Sequence, residues 1–336
     1  MSNNVVQLSH GKVKFKNHSR LNMLSSIDKD LFPIRVLSEK TTVGTSTLRA
    51  WERRYGLLTP NRTPKGHRLY CDSDVKRVHK ILDLLEDGHS LPVIKDMLAA
   101  NKKYEGSETS STENTVPGET TSVWTEFVES TIDATRDFNI ERLDAIYNEA
   151  TSLYPIDMVI SRLIEPVLNN LGREWIQHPE KGIAEEHFYT SWLKNRIGAR
   201  FQHSYSHAKG ARIVCACLPG SFHEVGLMLF ALSALARGYR VLYFGADLPL
   251  NQLNYITQRS AAKAVVLGAH MPLNRDLNTE LVALISALDI PVFIGGYDDN
   301  IDTSAVQESG GILLGSNIPV ALRIFESSVK AHPSNA

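Results

Sequence analysis

Cysteine is scarce in this chain. Its 336 residues hold three, Cys71, Cys215 and Cys217, too few for the disulfide framework of a small secreted scaffold. No apolar run approaches the roughly 20 residues that cross a bilayer, which predicts a chain that does not span a membrane. The opening residues, Met1-Ser-Asn-Asn-Val-Val-Gln7, lack the basic and apolar regions of a secretory signal. Together these features predict a protein of the reducing cytoplasm. Also missing are a phosphate-binding P-loop, a Gly-x-Ser-x-Gly elbow and a zinc-protease signature, so no enzymatic active site is evident and a non-enzyme is expected.

Net charge is nearly missing as well, at −1 from 36 Lys+Arg and 37 Asp+Glu, but the balance hides an asymmetry. Residues 1–80 carry 16 Lys+Arg against 6 Asp+Glu, or +10, leaving 20 against 31, or −11, for residues 81–336. A basic N-terminal part fused to an acidic remainder is what a nucleic-acid reader joined to another module would show, and a basic disordered arm gives the same arithmetic.

The pattern along the chain divides it further. Residues 1–32 mix Ser, Asn, His and Lys with little periodicity and predict a disordered basic arm. Short helical patterns follow over 33–100, interrupted by Thr59-Pro-Asn-Arg-Thr-Pro-Lys-Gly66. A Ser/Thr/Glu-rich stretch within 101–122 has almost no large apolar side chain and predicts a flexible linker. From 123 to 207 apolar residues recur at helical spacing, with breaks at Asp137-Phe-Asn139, Tyr154-Pro155 and Pro179-Glu-Lys-Gly182, which fits four antiparallel helices.

After Gly210 the pattern changes to short apolar runs, Ile213–Leu218, Val241–Phe244, Ala264–Leu267, Val292–Ile294 and Gly311–Gly315, separated by helix-length stretches. Near-continuous apolar runs are how buried parallel strands read, so residues 210–332 predict a doubly wound, Rossmann-like parallel sheet with ligand sites beyond the strands' carboxyl ends. Cys215 and Cys217 alternate on the first strand and are expected as small core residues on one face. His203 and His207 have the i, i+4 spacing of a helical metal site, but without a third ligand they read as solvated surface.

Two segments carry chemistry. Ile34–Gly44 and Thr45–Tyr55 read as helix, Gly-containing turn, helix, with Thr45 or Ser46 as the cap. The second helix places Ser46, Arg49 and Arg53 where side chains reach phosphates and base edges in a major groove. The insert behind it brings Arg62, Lys65 and Arg68, consistent with a basic wing. In the last segment, Pro219-Gly-Ser-Phe-His223-Glu-Val-Gly226 follows the first strand. A neutral imidazole there could ligate a metal, while Gly226 permits close helix packing; a capping or core histidine is the alternative reading.

The N-terminal motifs resemble a known family. Leu48-Arg-Ala-Trp-Glu-Arg-Arg-Tyr-Gly-Leu-Leu-Thr-Pro60, Arg62-Thr-Pro-Lys-Gly-His-Arg-Leu-Tyr70 and Gly88-His-Ser-Leu-Pro-Val-Ile94 look like the winged helix-turn-helix of MerR-type regulators. Trp51 with Gly66-His67 resembles the light-responsive, cobalamin-binding branch. The resemblance implies that Ser46, Arg49, Arg53, Arg62, Lys65, His67, Arg68 and Tyr70 bind a double-stranded DNA operator.

Residues 210–332 are similar to cobalamin-binding Rossmann domains, with His223-x-x-Gly226, Gly268-Ala269-His270 and Ile294-Gly295-Gly296 at the expected places. This implies His223 as cobalt ligand and Gly226 as a further cofactor-binding position, with Ala269, Gly295 and Gly296 leaving room for the nucleotide tail. A side chain at Gly295 or Gly296 would block that tail. Trp175 and Glu185-Glu186-His187 resemble the motif by which that branch covers adenosylcobalamin, implying that Trp175 packs on the adenosyl group while Glu186 and His187 contact it. The chain departs from the pattern at Ser221, where an acidic residue is usual, and in lacking a serine beside Ala269 and His270. It departs again at Ile176, where the best-known photoreceptor has a histidine; His178 lies nearby.

The implied function is a DNA-binding repressor that assembles with itself into a dimer or tetramer on adenosylcobalamin and comes apart in light. Two alternatives stand beside it: a cobalamin-independent regulator whose C-terminal part is a protein-interaction module, and a corrinoid carrier for a methyltransferase.

Overall fold

The computed structural model describes residues 31–104, 123–205, 208–270, 274–297 and 303–331. The expected basic arm to residue 30, the linker over 105–122, His207 and the side chain of His203 lie outside them. The chain divides into two compact units, one containing residues up to Phe127 and again Ile146–Pro155, the other Val128–Ala145 and Ile156 onward. Among the described residues no helix is long and apolar enough to cross a membrane.

In the first unit, strand β1 (Phe32–Pro33) leads into helix α1 (Ile34–Thr41), and α2 (Thr45–Ala50) continues as a wide π-type turn, Trp51–Tyr55. The wing follows as strands β2 (Asn61–Arg62) and β3 (Arg68–Tyr70), which form a small antiparallel sheet with β1 in the order β1-β3-β2. The cap of α2 departs from expectation: Gly44 occupies it, and neither Thr45 nor Ser46 bonds a backbone amide as a cap. Helix α3 (Asp72–Glu86) starts with a capping box in which the Cys71 amide donates to Asp74 Oδ2 at 2.9 Å, satisfying donors that a helix start leaves unpaired. Helix α4 (Leu91–Tyr104) closes the reader. Leu37, Leu48, Trp51, Val78, Ile81 and Ile94 are wholly buried, the inward face that helical periodicity predicts.

Helices α5 (Val123–Arg136) and α6 (Ile140–Leu153) each run through the division between the units. At the end of α6 the Leu153 carbonyl lacks an onward helical partner and accepts instead from the buried Trp51 indole N–H at 2.8 Å, while Tyr154 packs on Trp124 with ring centroids 4.5 Å apart.

The second unit continues with α7 (Ile156–Val159), which runs through Ile160–Ile164 into α8 (Glu165–Gln177), and with the 27-residue α9 (Pro179–Tyr205). The interruption expected over Pro179–Gly182 is confined to His178. Pro179 opens α9 without cost because the first helical position needs no amide hydrogen.

Beyond α9 the chain alternates β4 (Arg212–Cys217), α10 (Val225–Ala236), β5 (Arg240–Gly245), α11 (Gln252–Ser260), β6 (Ala264–Gly268), α12 (Arg275–Ala287), β7 (Val292–Gly295), α13 (Ser304–Glu308), β8 (Ile312–Gly315) and α14 (Ile318–Ala331). All five strands pair in parallel, in the order β5-β4-β6-β7-β8. The expected winged helix-turn-helix, helical segment and doubly wound sheet are therefore present. Residues 213–217 on β4, Cys215 and Cys217 among them, are fully buried, as a parallel strand covered on both faces must be. In α10 every residue from Leu227 to Leu235 is buried, so its apolarity serves the interior.

Trp51→Phe removes the donor and leaves the Leu153 carbonyl unpaired in a buried setting, a loss of about 1–3 kcal/mol. Thermal unfolding of the full chain is expected to show a lower Tm; an unchanged Tm would contradict the role assigned to this bond.

Candidate functional site

The reader offers a basic surface built on α2 and the wing. Ser46, Arg49, Arg53, Lys65 and His67 are exposed, as side chains that approach a groove must be. Arg62 and Arg68 are engaged elsewhere: Arg62 Nη2 donates to Glu52 Oε1 at 2.7 Å and Arg68 Nε to Glu52 Oε2 at 2.5 Å. Glu52 thus grips both strands of the wing from the turn that ends α2, a clamp with no signal in the sequence beyond the presence of opposite charges. Tyr70 is wholly buried, and burial followed by the nearby Glu52 carboxylate pushes its phenol up to about 12. It belongs to the core beneath the wing.

In the second unit, β4 is the strand at which winding reverses: β5 lies on one side, and β6, β7 and β8 follow on the other. Crossover helices leaving β4 and β6 diverge to opposite faces at such a point, which opens a crevice at the strands' carboxyl ends. A cavity of about 860 Å³ occupies it. All eight residues expected around the cofactor, Trp175, Glu186, His187, His223, Gly226, Ala269, Gly295 and Gly296, line this one cavity. Ile176 and His178 do not; Ile176 is 82% exposed.

Helices α8 and α9 supply one wall through a close approach at Gly182. A Cβ there would lie 2.6 Å from the Glu174 carbonyl carbon and 2.7 Å from the Trp175 amide nitrogen, so only glycine lets the helices meet. Four and five residues further along α9, one turn on, stand Glu186 and His187. The His187 ring lies 5.5 Å from the Trp175 ring, and its Nδ1 is 2.9 Å from Glu186 Oε2. Glu185 is buried and does not line the cavity, so of the two adjacent glutamates Glu186 is the one that faces it.

The opposite wall carries two imidazoles, His223 after β4 and His270 after β6, with ring centroids 4.7 Å apart and planes inclined by 38°. His270 Nδ1 lies 3.3 Å from the Gly296 carbonyl. Burial, and next the neighbouring His270, hold the His223 pKa below the usual histidine value, a shift that favours the neutral ring, the form that ligates a metal.

Room for an inserted group lies beside Gly296, which has φ +79° and no heavy atom within 4 Å of a Cβ position. Gly295 differs: a Cβ there would meet the Gly315 carbonyl and Leu314 at 3.2 Å, so its want of a side chain serves strand packing as well. Ser221 is buried with its hydroxyl unpartnered and does not line the cavity. The donor set and the space fit a corrinoid held through an imidazole. Lys194, Phe222, Glu224 and Asn317 also line the cavity; nothing in their spacing marks them in the sequence.

Gly182→Ala forces the α8–α9 contact apart, at about 1–3 kcal/mol for overpacking. A lower Tm and a shift in Trp175 fluorescence are expected, the latter isolated by difference against Trp175→Phe. A fluorescence spectrum and Tm matching the wild type would contradict this packing.

Comparison with known proteins adds to the geometry. The description "MerR HTH family regulatory protein" matches residues 32–101. The HTH-type transcriptional repressor CarH of Myxococcus xanthus is 28% identical over 280 residues, covering 79% of this chain and 88% of that protein. The HTH-type transcriptional regulator GlnR of Bacillus anthracis is 33% identical over 91 residues, 25% of this chain and 70% of its own length. Among solved structures, the monomethylamine corrinoid protein of Methanosarcina barkeri is 16% identical with a TM-score of 0.47, covering 61% of this chain and 98% of that one. The chain belongs to the MerR family of helix-turn-helix regulatory proteins.

Proposed function

We propose that the protein is a DNA-binding transcriptional repressor, acting in the cytoplasm, whose second unit binds a cobalamin, specifically adenosylcobalamin, and whose self-assembly responds to light. The observation that carries this reading is the meeting of all eight expected residues on one cavity at the winding reversal. Likeness to the repressor CarH over most of both chains supports the regulatory role.

Each residue has a part in this reading. His223 would hold the cobalt through an imidazole nitrogen. Gly226 would let α10 pack close to the site, and the backbone at Ala269, Gly295 and Gly296 would leave space for the nucleotide tail. Trp175 would stack on an adenosyl group, to which Glu186 and His187 would present a carboxylate and an imidazole. Bound there, the cofactor supplies a light-sensitive cobalt–carbon bond. In the reader, Arg49, Arg53, Lys65 and His67 would meet phosphates and base edges, while Glu52 holds Arg62 and Arg68 so that the wing keeps its angle. A ligand with different affinities for assembled and separate copies shifts that equilibrium, and paired readers hold an operator more tightly than single ones.

The test is size-exclusion chromatography and operator binding with adenosylcobalamin, in darkness and after green light. The expected result is a dimer or tetramer with tight binding in darkness and smaller species with weaker binding after illumination. Unchanged size and affinity would overturn the light response, and failure to take up any corrinoid would leave the second unit a protein-interaction module.

Phosphate contacts also set the salt dependence of binding. Arg53→Ala is expected to reduce the slope of log K against log salt by about 1, with His223→Ala leaving it unchanged when measured on the free protein. A slope unaffected by Arg53→Ala would remove that residue from the interface.

A further inference from the structure

An imidazole that ligates a metal needs its ring held in place, ordinarily by a hydrogen bond at the other ring nitrogen. Among the described residues no hydrogen bond reaches either ring nitrogen of His223; its ring neighbour is His270. Ser221, two residues earlier, turns its hydroxyl into the interior without a partner. The start of the loop is tied to Asp247, whose Oδ1 accepts from the Gly220 amide at 2.7 Å and whose amide donates to the Ser221 carbonyl at 3.2 Å; these bonds lie before His223 and leave its far side to be held by another group.

The next residue along is fixed from two sides. Glu224 Oε2 accepts from the Tyr243 hydroxyl at 2.9 Å, and Glu224 Oε1 from Lys194 Nζ at 3.3 Å. Tyr243 belongs to β5, the strand beside β4, and Lys194 to α9, two turns beyond His187. The Glu224 side chain is 20% exposed and that of Lys194 39%, so the bond from Tyr243 is the better shielded from water of the two. Burial, and then the carboxylate itself, push the Tyr243 phenol up, so it remains a donor. The Glu224 carbonyl in turn accepts from the Met228 amide at 2.9 Å, tying its backbone to the start of α10.

We propose that Glu224 is the positioning residue for His223: held by Tyr243 and Lys194, its carboxylate fixes the 221–224 loop so that the imidazole faces the cavity, and couples that loop to the helix bearing Glu186 and His187. The ligand in this inference rests on the cobalamin reading above, whereas the fixing of the loop does not.

The test uses the full chain in two arms, after melts confirm folding. Without ligand, the ring signals of His223 in carbon-13-histidine protein are identified by their loss in His223→Ala. A single sharp set is expected in the wild type, and split or broadened signals in Glu224→Ala. With cobalamin, Glu224→Ala is expected to weaken binding about tenfold, with no further loss when added to His223→Ala. Unchanged ring signals in folded Glu224→Ala, or losses that multiply in the double variant, overturn the proposal. Should Glu224→Ala fail to fold, Glu224→Gln and Tyr243→Phe are read in the same way, with smaller changes expected. A wild type that takes up no cobalamin overturns the ligand, and the ring signals then decide the positioning role alone.

Discussion

Reversal of the winding at β4 is the constraint from which the site's arrangement follows. With β5 on one side and β6 on the other, the helices that follow β4 and β6 must leave toward opposite faces, and no helix can cover the carboxyl ends of both strands. The crevice so formed receives the loop bearing His223 and the turn bearing Ala269 and His270, with Gly295 and Gly296 on the next strand over. Because every residue of α10 from Leu227 to Leu235 is buried, a shift of that helix to close the crevice would open the core. The remaining wall comes from α8 and α9, brought together by the absence of a side chain at Gly182. Two packing requirements far apart in the chain thus set Trp175, Glu186 and His187 opposite His223.

The reader depends on a comparable economy of charge. Its basic excess suggested a set of arginines all aimed at DNA, but Glu52 takes two of them, Arg62 and Arg68. Their role becomes internal, fixing the wing against the end of α2. Ser46, Arg49, Arg53, Lys65 and His67 remain exposed, and Tyr70 serves as core beneath the wing.

What could be read in advance followed from periodicity and from local chemistry. The five strands were legible as uninterrupted apolar runs because a sheet covered on both faces leaves no polar position to break them. The position of His223 on the cavity was legible because the loop that follows such a run lies at the strands' carboxyl ends. The helix start at Pro179 was misplaced by the pull of Pro and Gly together, although proline is at home in a first turn. Contacts between residues remote in sequence left no trace: Glu224 with Tyr243 and Lys194, 19 and 30 positions away, and Trp51 with Leu153, 102 positions away. Nothing about a glutamate or a tryptophan alone names its partner; only the fold brings them together.

The central claim is that His223 of this cavity ligates cobalt. Electron paramagnetic resonance of the protein loaded with divalent-cobalt cobalamin tests it most directly, because an axial nitrogen splits each cobalt line according to its own nuclear spin. In protein grown with nitrogen-15 histidine, and with an unlabelled cofactor, the account predicts that the threefold splitting becomes twofold, and that His223→Ala abolishes this effect. A splitting indifferent to labelling of the protein's histidines would contradict it.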